Sequence, residues 1–506
     1  MAIPIPACMR WPGPLCGSLA MDSMTTTAIH RHGLDPGTLD AAQETILRLL
    51  YGSIPDPPVS AAATLSCAAA ATVSDDSDGV DRISALPDDL LRRVIARLPA
   101  KDGARTAVLS TRWHGLWRSA PLVVDDTQFL PNGGADGRPP RPGPVSRAVR
   151  RAVSAALGSH PGPFPFVSLS CGFIGADLRL PAALFSCASL RRLYLGAWRF
   201  VDTATLPRGV CFPNLQELVL GAVDLEDRDL DFLLTVCPVL DALAVIGDLH
   251  PLHARIASHS LRSAQFCLSF LIEVAVEDAP SLERLFVWRC WDRRRSARKL
   301  GTRIKIDNAP RLSIVGYLEP GVHELQIGKT IIKSGTMPCP KTVIPTVQML
   351  ALHLHFRVQN EVRMLPSFLR CFPNIETLCI ESEMTCEPTG NINIKFWQEK
   401  APIECVWSHL KTLVLREFHG EENEVAFLKF VAETAQVLEK MVLVMTLKEP
   451  SAPEELAARM KDLDSARWAS GSSKVGYLFS RIAEGGRIWN LRAGLDSLCN
   501  DPFFCL

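Results

Sequence analysis

Net charge is missing from this sequence: Lys and Arg together number 54, and so do Asp and Glu. That balance argues against a bulk electrostatic partner such as nucleic acid or an anionic membrane. Long apolar runs are missing too, since none approaches the ~20 residues of a membrane span. Pro4, Pro6, Pro12 and Pro14 interrupt the start of the chain and exclude an apolar signal core there. Cys505 stands one residue from the end, the wrong place for prenylation. No Asn is followed at the second position by Ser or Thr, so N-glycosylation sequons are absent, which favours a reducing compartment.

Recognisable catalytic and ligand motifs are scarce as well. The 16 cysteines include no C-x-x-C and no zinc-finger spacing. Cys405 and His409 lie four apart without a second pair at useful distance, so most cysteines read as small core residues. Gly328-Lys329-Thr330 is not a phosphate loop, because His323 occupies the place of the glycine that such a loop needs. His353 and His355 alternate on a strand and can share a face. Two imidazoles without a carboxylate or cysteine nearby rarely bind metal, so no metal and no cofactor is expected. No Ser-His-Asp, Cys-His or paired-carboxylate arrangement stands out, and catalytic residues are expected to be none.

What is present is globular: 47% hydrophobic and 21% charged residues over 506 positions, room for several domains or one long repeat array. The first organised stretch is Asp81 to Asp126. Pro87 suits the start of a helix, and Leu90, Leu91, Val94, Ile95 and Leu98 follow it as one apolar stripe. Pro99 ends that helix. Asp102 can cap a second, carrying Ala104, Ala107 and Val108, and Ser110 a third, in which Trp113, Leu116 and Trp117 share a face. So short a segment cannot bury this much apolar surface alone and should seek a partner.

Ile83, Leu86, Pro87, Leu90, Leu91, Ile95, Leu98 and Pro99, with the run Arg105, Thr106, Val108, Leu109, Ser110, Arg112, Trp113, Leu116 and Trp117, resemble the plant form of the F-box. Gly103 and His114 depart from its commoner Ala and basic residue. Gly103 is expected to loosen the second helix by roughly 1 kcal/mol relative to Ala. The resemblance implies docking on a Skp-family adaptor, and through it on a cullin scaffold. The residues it assigns to adaptor binding are Leu86, Pro87, Leu90, Leu91, Ile95, Leu98, Pro99, Val108, Leu109, Trp113, Leu116 and Trp117.

Downstream the chain repeats. The pattern L-x-x-L-x-L occurs at Leu190, Leu193, Leu195 and again at Leu215, Leu218, Leu220. Looser copies start at Leu240, Leu261, Leu282, Val347, Ile375, Leu410 and Leu438, and Leu312 opens a doubtful one. Spacing is 25 or 21 residues up to Leu282 and longer beyond it, within or near the leucine-rich-repeat period. Pro213, Pro238, Pro280, Pro310 and Pro373 each stand two residues before a copy and mark where its strand begins. Each repeat leaves an apolar side that its neighbour covers, and the pattern resembles the irregular leucine-rich repeats of plant F-box proteins. Tyr194, Val219, Phe286 and Val414, between the repeat leucines, are expected to face outward.

The segment from His409 to Val444 reads as strand, helix, strand. Val425, Phe427, Leu428, Val431, Ala435 and Leu438 line the helix's apolar side. Leu410, Leu413, Leu415, Glu417, Phe418, Gly420, Glu424, Phe430, Ala435 and Leu438 resemble the FBD domain of plant F-box proteins. The expected architecture is therefore α/β: a three-helix F-box, then a leucine-rich-repeat solenoid capped by a strand–helix–strand unit. Its expected segments are a disordered leader 1–79, the F-box 80–126, a Gly/Pro-rich linker 127–144, the solenoid 145–407 and the FBD-like cap 408–506.

Within the leader, Ala41 to Tyr51 can form a short helix with Ile46, Leu47, Leu49 and Leu50 on its apolar side. Arg138, Arg141, Arg147, Arg150 and Arg151 read as a solvated linker running into a basic helix face, and Arg293–Lys299 as a solvated loop. The resemblance as a whole implies a non-catalytic substrate receptor of an SCF-type ubiquitin ligase, acting in the nucleus, the cytoplasm or both. It binds an unknown substrate protein, with no nucleic acid and no membrane as partners. Two other classes fit the same architecture: a hormone-type small-molecule sensor and a ligase-independent interaction scaffold.

Overall fold

The computed structural model describes most of residues 83–126, 144–169, 180–248, 251–290, 301–383, 395–446 and 466–480, with Ile46, Leu50, Gly494 and Leu495. These fall into two compact units, Met1–His250 and Pro251–Leu506.

The first unit opens with three short helices. α1 (Asp88–Ala96) starts directly after Pro87, whose carbonyl accepts the N–H groups of Leu90 and Leu91 at 3.0 and 3.1 Å. α2 (Ala100–Thr106) begins ahead of Asp102, so Asp102 is not its cap. Asp102 instead pairs with Arg105 at 2.8 Å within the helix. α3 (Thr111–Ser119) is capped as expected: Ser110 Oγ accepts the Trp113 N–H at 3.3 Å. The stretch then turns into sheet sooner than its F-box boundary implied. β1 (Val123–Asp125) pairs in parallel with β2 (Phe166–Leu169), and α4 (Pro144–Ser159) lies between them in sequence.

β3 (Arg192–Gly196), β4 (Glu217–Gly221) and β5 (Ala242–Ile246) extend the sheet in the order β1-β2-β3-β4-β5, all parallel. Leu193, Leu218 and Leu243 occupy one register position, and Leu195, Leu220 and Val245 another. α5 (Asp227–Val236) joins β4 to β5 and carries a reciprocal capping box of Glu226 and Asp229. Ile46 and Leu50 are helical and buried at the ends of these strands. A Cβ on Gly221 would lie 2.3 Å from Leu50, and one on Gly247 2.0 Å from Ile46. The rest of the leader, residues 127–143 and the basic run 293–299 lie outside the described residues.

The second unit holds β6 (Leu252–Ala257), β7 (Ser263–Cys267), β8 (Leu271–Asp278), β9 (Arg284–Trp288) and β10 (Arg303–Ile306). β11 (Ile314–Leu318), β12 (Glu324–Ile327), β13 (Thr330–Ile331) and β14 (Met349–Leu354) follow, then helix α6 (Gln359–Arg370) and β15 (Thr377–Ser382). It ends with α7 (Lys395–Gln398), α8 (Glu404–Ser408), β16 (Thr412–Arg416), α9 (Glu422–Thr434), β17 (Lys440–Thr446) and β18 (Lys474–Ser480). One parallel ladder carries the repeat leucines. Ala264, Leu285, Val315, Leu350, Leu378, Leu413 and Met441 are paired in succession across it. Val315 belongs to the doubtful copy that Leu312 opens, so that copy is a repeat like the others.

The shared prolines have a specific job. Pro213, Pro238, Pro280 and Pro310 sit second in tight turns whose fourth residue is the first repeat leucine. The N–H groups of Leu215, Leu240, Leu282 and Leu312 reach back to the residue before each proline at 3.1 to 3.2 Å. Proline's fixed φ suits that second position.

A second sheet is not legible in the leucine pattern. Its order is β13-β12-β10-β8-β6, parallel except for the β12–β13 hairpin. From Leu240 to Val347 the return limb of each repeat is therefore a strand, whereas elsewhere among the described residues α4, α5, α6, α7, α8 and α9 lie between successive strands of the ladder. Extended chain advances ~3.3 Å per residue against ~1.5 Å in a helix. The two 21-residue repeats are both strand-returning, but so are the 30- and 35-residue repeats between Leu282 and Val347, so the return limb alone does not set repeat length. Gly328-Lys329, the would-be phosphate loop, is the two-residue turn of that hairpin, with Ile327 paired to Thr330 and Gly328 at φ 56°.

One expectation is corrected throughout the ladder. Tyr194, Val219, Phe286 and Val414 are buried, not outward-facing. Parallel strands have both faces covered, and here β4, β5 and β7 are buried at every position. Cys187, Cys237, Cys267, Cys290, Cys371, Cys379 and Cys405 are buried, in keeping with small core residues. Among the described residues no helix is long and apolar enough to cross a membrane.

Candidate functional site

The three N-terminal helices sort their apolar residues into two sets. Leu91, Ile95, Trp113, Leu116 and Ala120 form a closed core, with Leu86 and Trp117 packed partly buried against it. Arg112 locks the approach to α1 from α3. It donates to Asp88 at 2.6 Å, to the Leu86 carbonyl at 2.8 Å and to the Ser84 carbonyl. Gly103 lies in this core too. A Cβ there would come within 2.9 Å of the Trp117 ring, so glycine lets α2 close against Trp117. The expected loosening of α2 is offset by that close approach.

The second set is left outside. Val108 is 86% exposed, Leu109 65%, Ile83 60%, Leu90 44% and Val94 43%. Leu90 and Val94 are one turn apart on α1, and Val108 and Leu109 occupy the turn before α3. The amphipathic stripe read from sequence is thus shared between two faces: Leu91 and Ile95 turn inward, Leu90 and Val94 outward. Of the residues the resemblance assigns to adaptor binding, Pro87, Leu90, Val108 and Leu109 are exposed, and Leu86, Leu98 and Trp117 are half-buried. Leu91, Ile95, Trp113 and Leu116 are buried in the domain's own core, so they shape the outer face from beneath it. Pro99 lies outside the described residues.

His160 ties this domain to the first repeat strands. Its Nε2 lies 3.0 Å from the Trp117 carbonyl, and its Nδ1 accepts the Gly162 N–H at 3.0 Å. The Trp117 and His160 rings meet edge-on at 4.7 Å. Burial, reinforced by the nearby Arg118 cation, lowers the His160 pKa despite the bond to the Trp117 carbonyl.

A second polar cluster stands at the ends of β11, β14 and β15. His353 Nε2 is 2.6 Å from Glu383, and His353 Nδ1 is 3.5 Å from Glu319. His355 Nδ1 is 3.1 Å from Glu361, which also accepts the His355 backbone N–H at 2.8 Å. Arg289 reaches Glu381 at 3.0 Å and Glu383 at 3.7 Å. Burial alone would raise the Glu319 and Glu383 carboxyls. The facing imidazoles, with Arg289 at Glu383, hold both down to about 2. The alternation of His353 and His355 was legible in sequence, but their carboxylates come from other repeats and a helix start, which no local pattern reveals.

Comparison with known proteins covers all three regions. An F-box domain model matches residues 83–125 and an FBD model 398–443. A model described as "FBD-associated F-box protein At5g56370, LRR repeats" matches 167–380. The chain is 27% identical over 460 residues to "F-box/LRR-repeat protein 13" of Arabidopsis thaliana, covering 79% of this chain and 96% of that protein. It is 26% identical over 404 residues to "FBD-associated F-box protein At5g60610" of the same plant, covering 71% and 98%. A "Putative F-box/FBD/LRR-repeat protein At4g00315" is 32% identical over 205 residues, 33% of this chain and 43% of that protein.

Proposed function

We propose, since this chain belongs to the F-box proteins that carry leucine-rich repeats and a C-terminal FBD domain, that it is the substrate-recognition subunit of an SCF-type cullin ubiquitin ligase. One observation carries the reading. The helical domain has already closed its own core, yet Ile83, Leu90, Val94, Val108 and Leu109 remain outside it. Covering a mostly exposed one such as Val108 with a partner is worth about 2 kcal/mol, and the half-covered Leu90 and Val94 about half as much each; a Skp-family adaptor is the partner the F-box implies. The adaptor ties the chain to a cullin scaffold, and the repeats hold a substrate protein.

No residue of this chain has to break or form a bond. Holding a substrate lysine near a ubiquitin thioester raises its effective concentration, and proximity alone can remove several kcal/mol of barrier. The receptor works in the nucleus, the cytoplasm or both, wherever adaptor and cullin are present.

The experiment is co-purification of the full chain with a plant Skp-family adaptor. Leu90→Asp, alone or with Val94→Asp, is expected to abolish co-purification. Circular dichroism and thermal unfolding should stay unchanged, because both side chains lie outside the core. Normal adaptor recovery with the double variant would overturn the docking assignment.

A further inference from the structure

We propose that His353, His355 and Glu383 form a binding site for a zinc-class transition-metal ion. One ligand atom from each lies within 4.8 Å of the others. Two imidazole nitrogens and one carboxylate oxygen are a donor set that zinc accepts, with a fourth position open for water or another ligand.

The surroundings are built as metal sites are built. A ligating imidazole commonly has its second ring nitrogen held by a carboxylate, which fixes the ring and sharpens its basicity. Both histidines have that arrangement. Glu361, on the first turn of α6, holds His355 Nδ1 at 3.1 Å and leaves Nε2 facing Glu383 at 4.0 Å. Glu319 lies 3.5 Å from His353 Nδ1, while His353 Nε2 faces Glu383 at 2.6 Å. Glu361 is itself buried, so the outer support is not a surface accident.

One further observation points to a cation. Glu319, Glu361, Glu381 and Glu383 also bring four carboxylates to this region, with the guanidinium of Arg289 at Glu381 and Glu383. A divalent ion between Glu383 and the two imidazoles offsets that excess and fastens β14 to the end of β15. Among the described residues no cysteine joins the group, which sets it apart from structural zinc sites closed by thiolates.

The test uses the full chain, stripped with a chelator, dialysed against zinc chloride and assayed for bound metal. One zinc per chain is expected, with a rise in thermal stability on loading. His355→Gln and Glu383→Gln should each weaken zinc binding at least tenfold. Glu361→Gln should weaken it about 10- to 100-fold while leaving the stoichiometry at saturating zinc unchanged. His355 is part-exposed, so its variant decides the matter even if Glu383→Gln fails to fold. No zinc retained by the unmutated chain would overturn the proposal. So would retention unchanged in His355→Gln but lost in a Cys211→Ser, Cys339→Ser double variant, which would assign the zinc to the exposed thiols.

Discussion

Gly103 shows how a local preference is overruled by a contact. In a helix glycine costs roughly 1 kcal/mol relative to alanine, and by propensity alone Gly103→Ala should stabilise α2. In the fold the new methyl would meet Trp117 at 2.9 Å. Trp117 is not free to retreat, being packed on the helical core and set edge-on to His160. Overpacking a core costs about 1–3 kcal/mol, which matches or exceeds the propensity gain. Gly103→Ala should therefore lower stability by about 1 kcal/mol net, measured as a fall in the melting temperature of the full chain. A rise would show that the Trp117 ring yields freely. The glycine was visible in the sequence as a departure from the F-box pattern. Its reason was not, because Trp117 lies on a different helix.

At the scale of elements, what repeats is easily read and what interrupts the repeat is not. The leucine triplets place the strands of the main ladder from β3 to β17 and miss β1, β2 and β18, which carry no triplet; an apolar pair separated by one residue needs only local geometry to face one way. The strand–helix–strand segment from Thr412 to Thr446 is legible for the same reason. The second sheet is hidden, although Leu252–Ala257 and Arg303–Ile306 alternate in burial, because short alternating runs between leucine triplets look like loops. The outward positions fail for a further reason: alternation assumes one open face, and these strands have none.

Helix α9 depends on one buried acid that the FBD resemblance had singled out. Glu424 accepts the N–H groups of Glu421 at 2.8 Å and His419 at 3.1 Å, and also the Ser382 hydroxyl of β15. It both caps the helix and pins it to the sheet, and it is fully buried. Removing it strands several donors, each costing about 1–3 kcal/mol when left unpaired. Glu424→Ala should destabilise the second unit by about 3 kcal/mol or more, and Glu424→Gln by less because one acceptor oxygen remains. Urea unfolding followed by circular dichroism measures both. Equal losses would mean that both carboxylate oxygens and their charge are required, and that one acceptor oxygen with the same bulk contributes nothing.

For the whole molecule, the proposed receptor role requires the helical domain to be held firmly to its repeats. Among the described residues His160 is one of the places where the helical domain is hydrogen-bonded to the chain entering the first repeat strands, beside the Leu122 N–H to the Pro163 carbonyl at 2.9 Å and the pairing of β1 with β2. Its Nε2 donates to the Trp117 carbonyl, and its Nδ1 accepts from Gly162, so both ring nitrogens are used in the neutral form. A second proton would have to take Nδ1 and break the Gly162 bond. The folded-state pKa accordingly lies below the ordinary 6.5 through burial. The unfolded chain then binds more protons than the folded one as pH drops through that ordinary value, so stability is lost on acidification and is fully present above it. The melting temperature of the full chain should fall between about pH 7 and pH 5, with part of the fall due to this residue. His160→Gln, which can still donate to Trp117 and has no proton to gain, should flatten that part of the profile. An identical pH profile in the variant would place the acid sensitivity elsewhere. A variant that unfolds at neutral pH would instead show that the imidazole's packing against Trp117 and Phe164, more than its protonation state, joins the two regions.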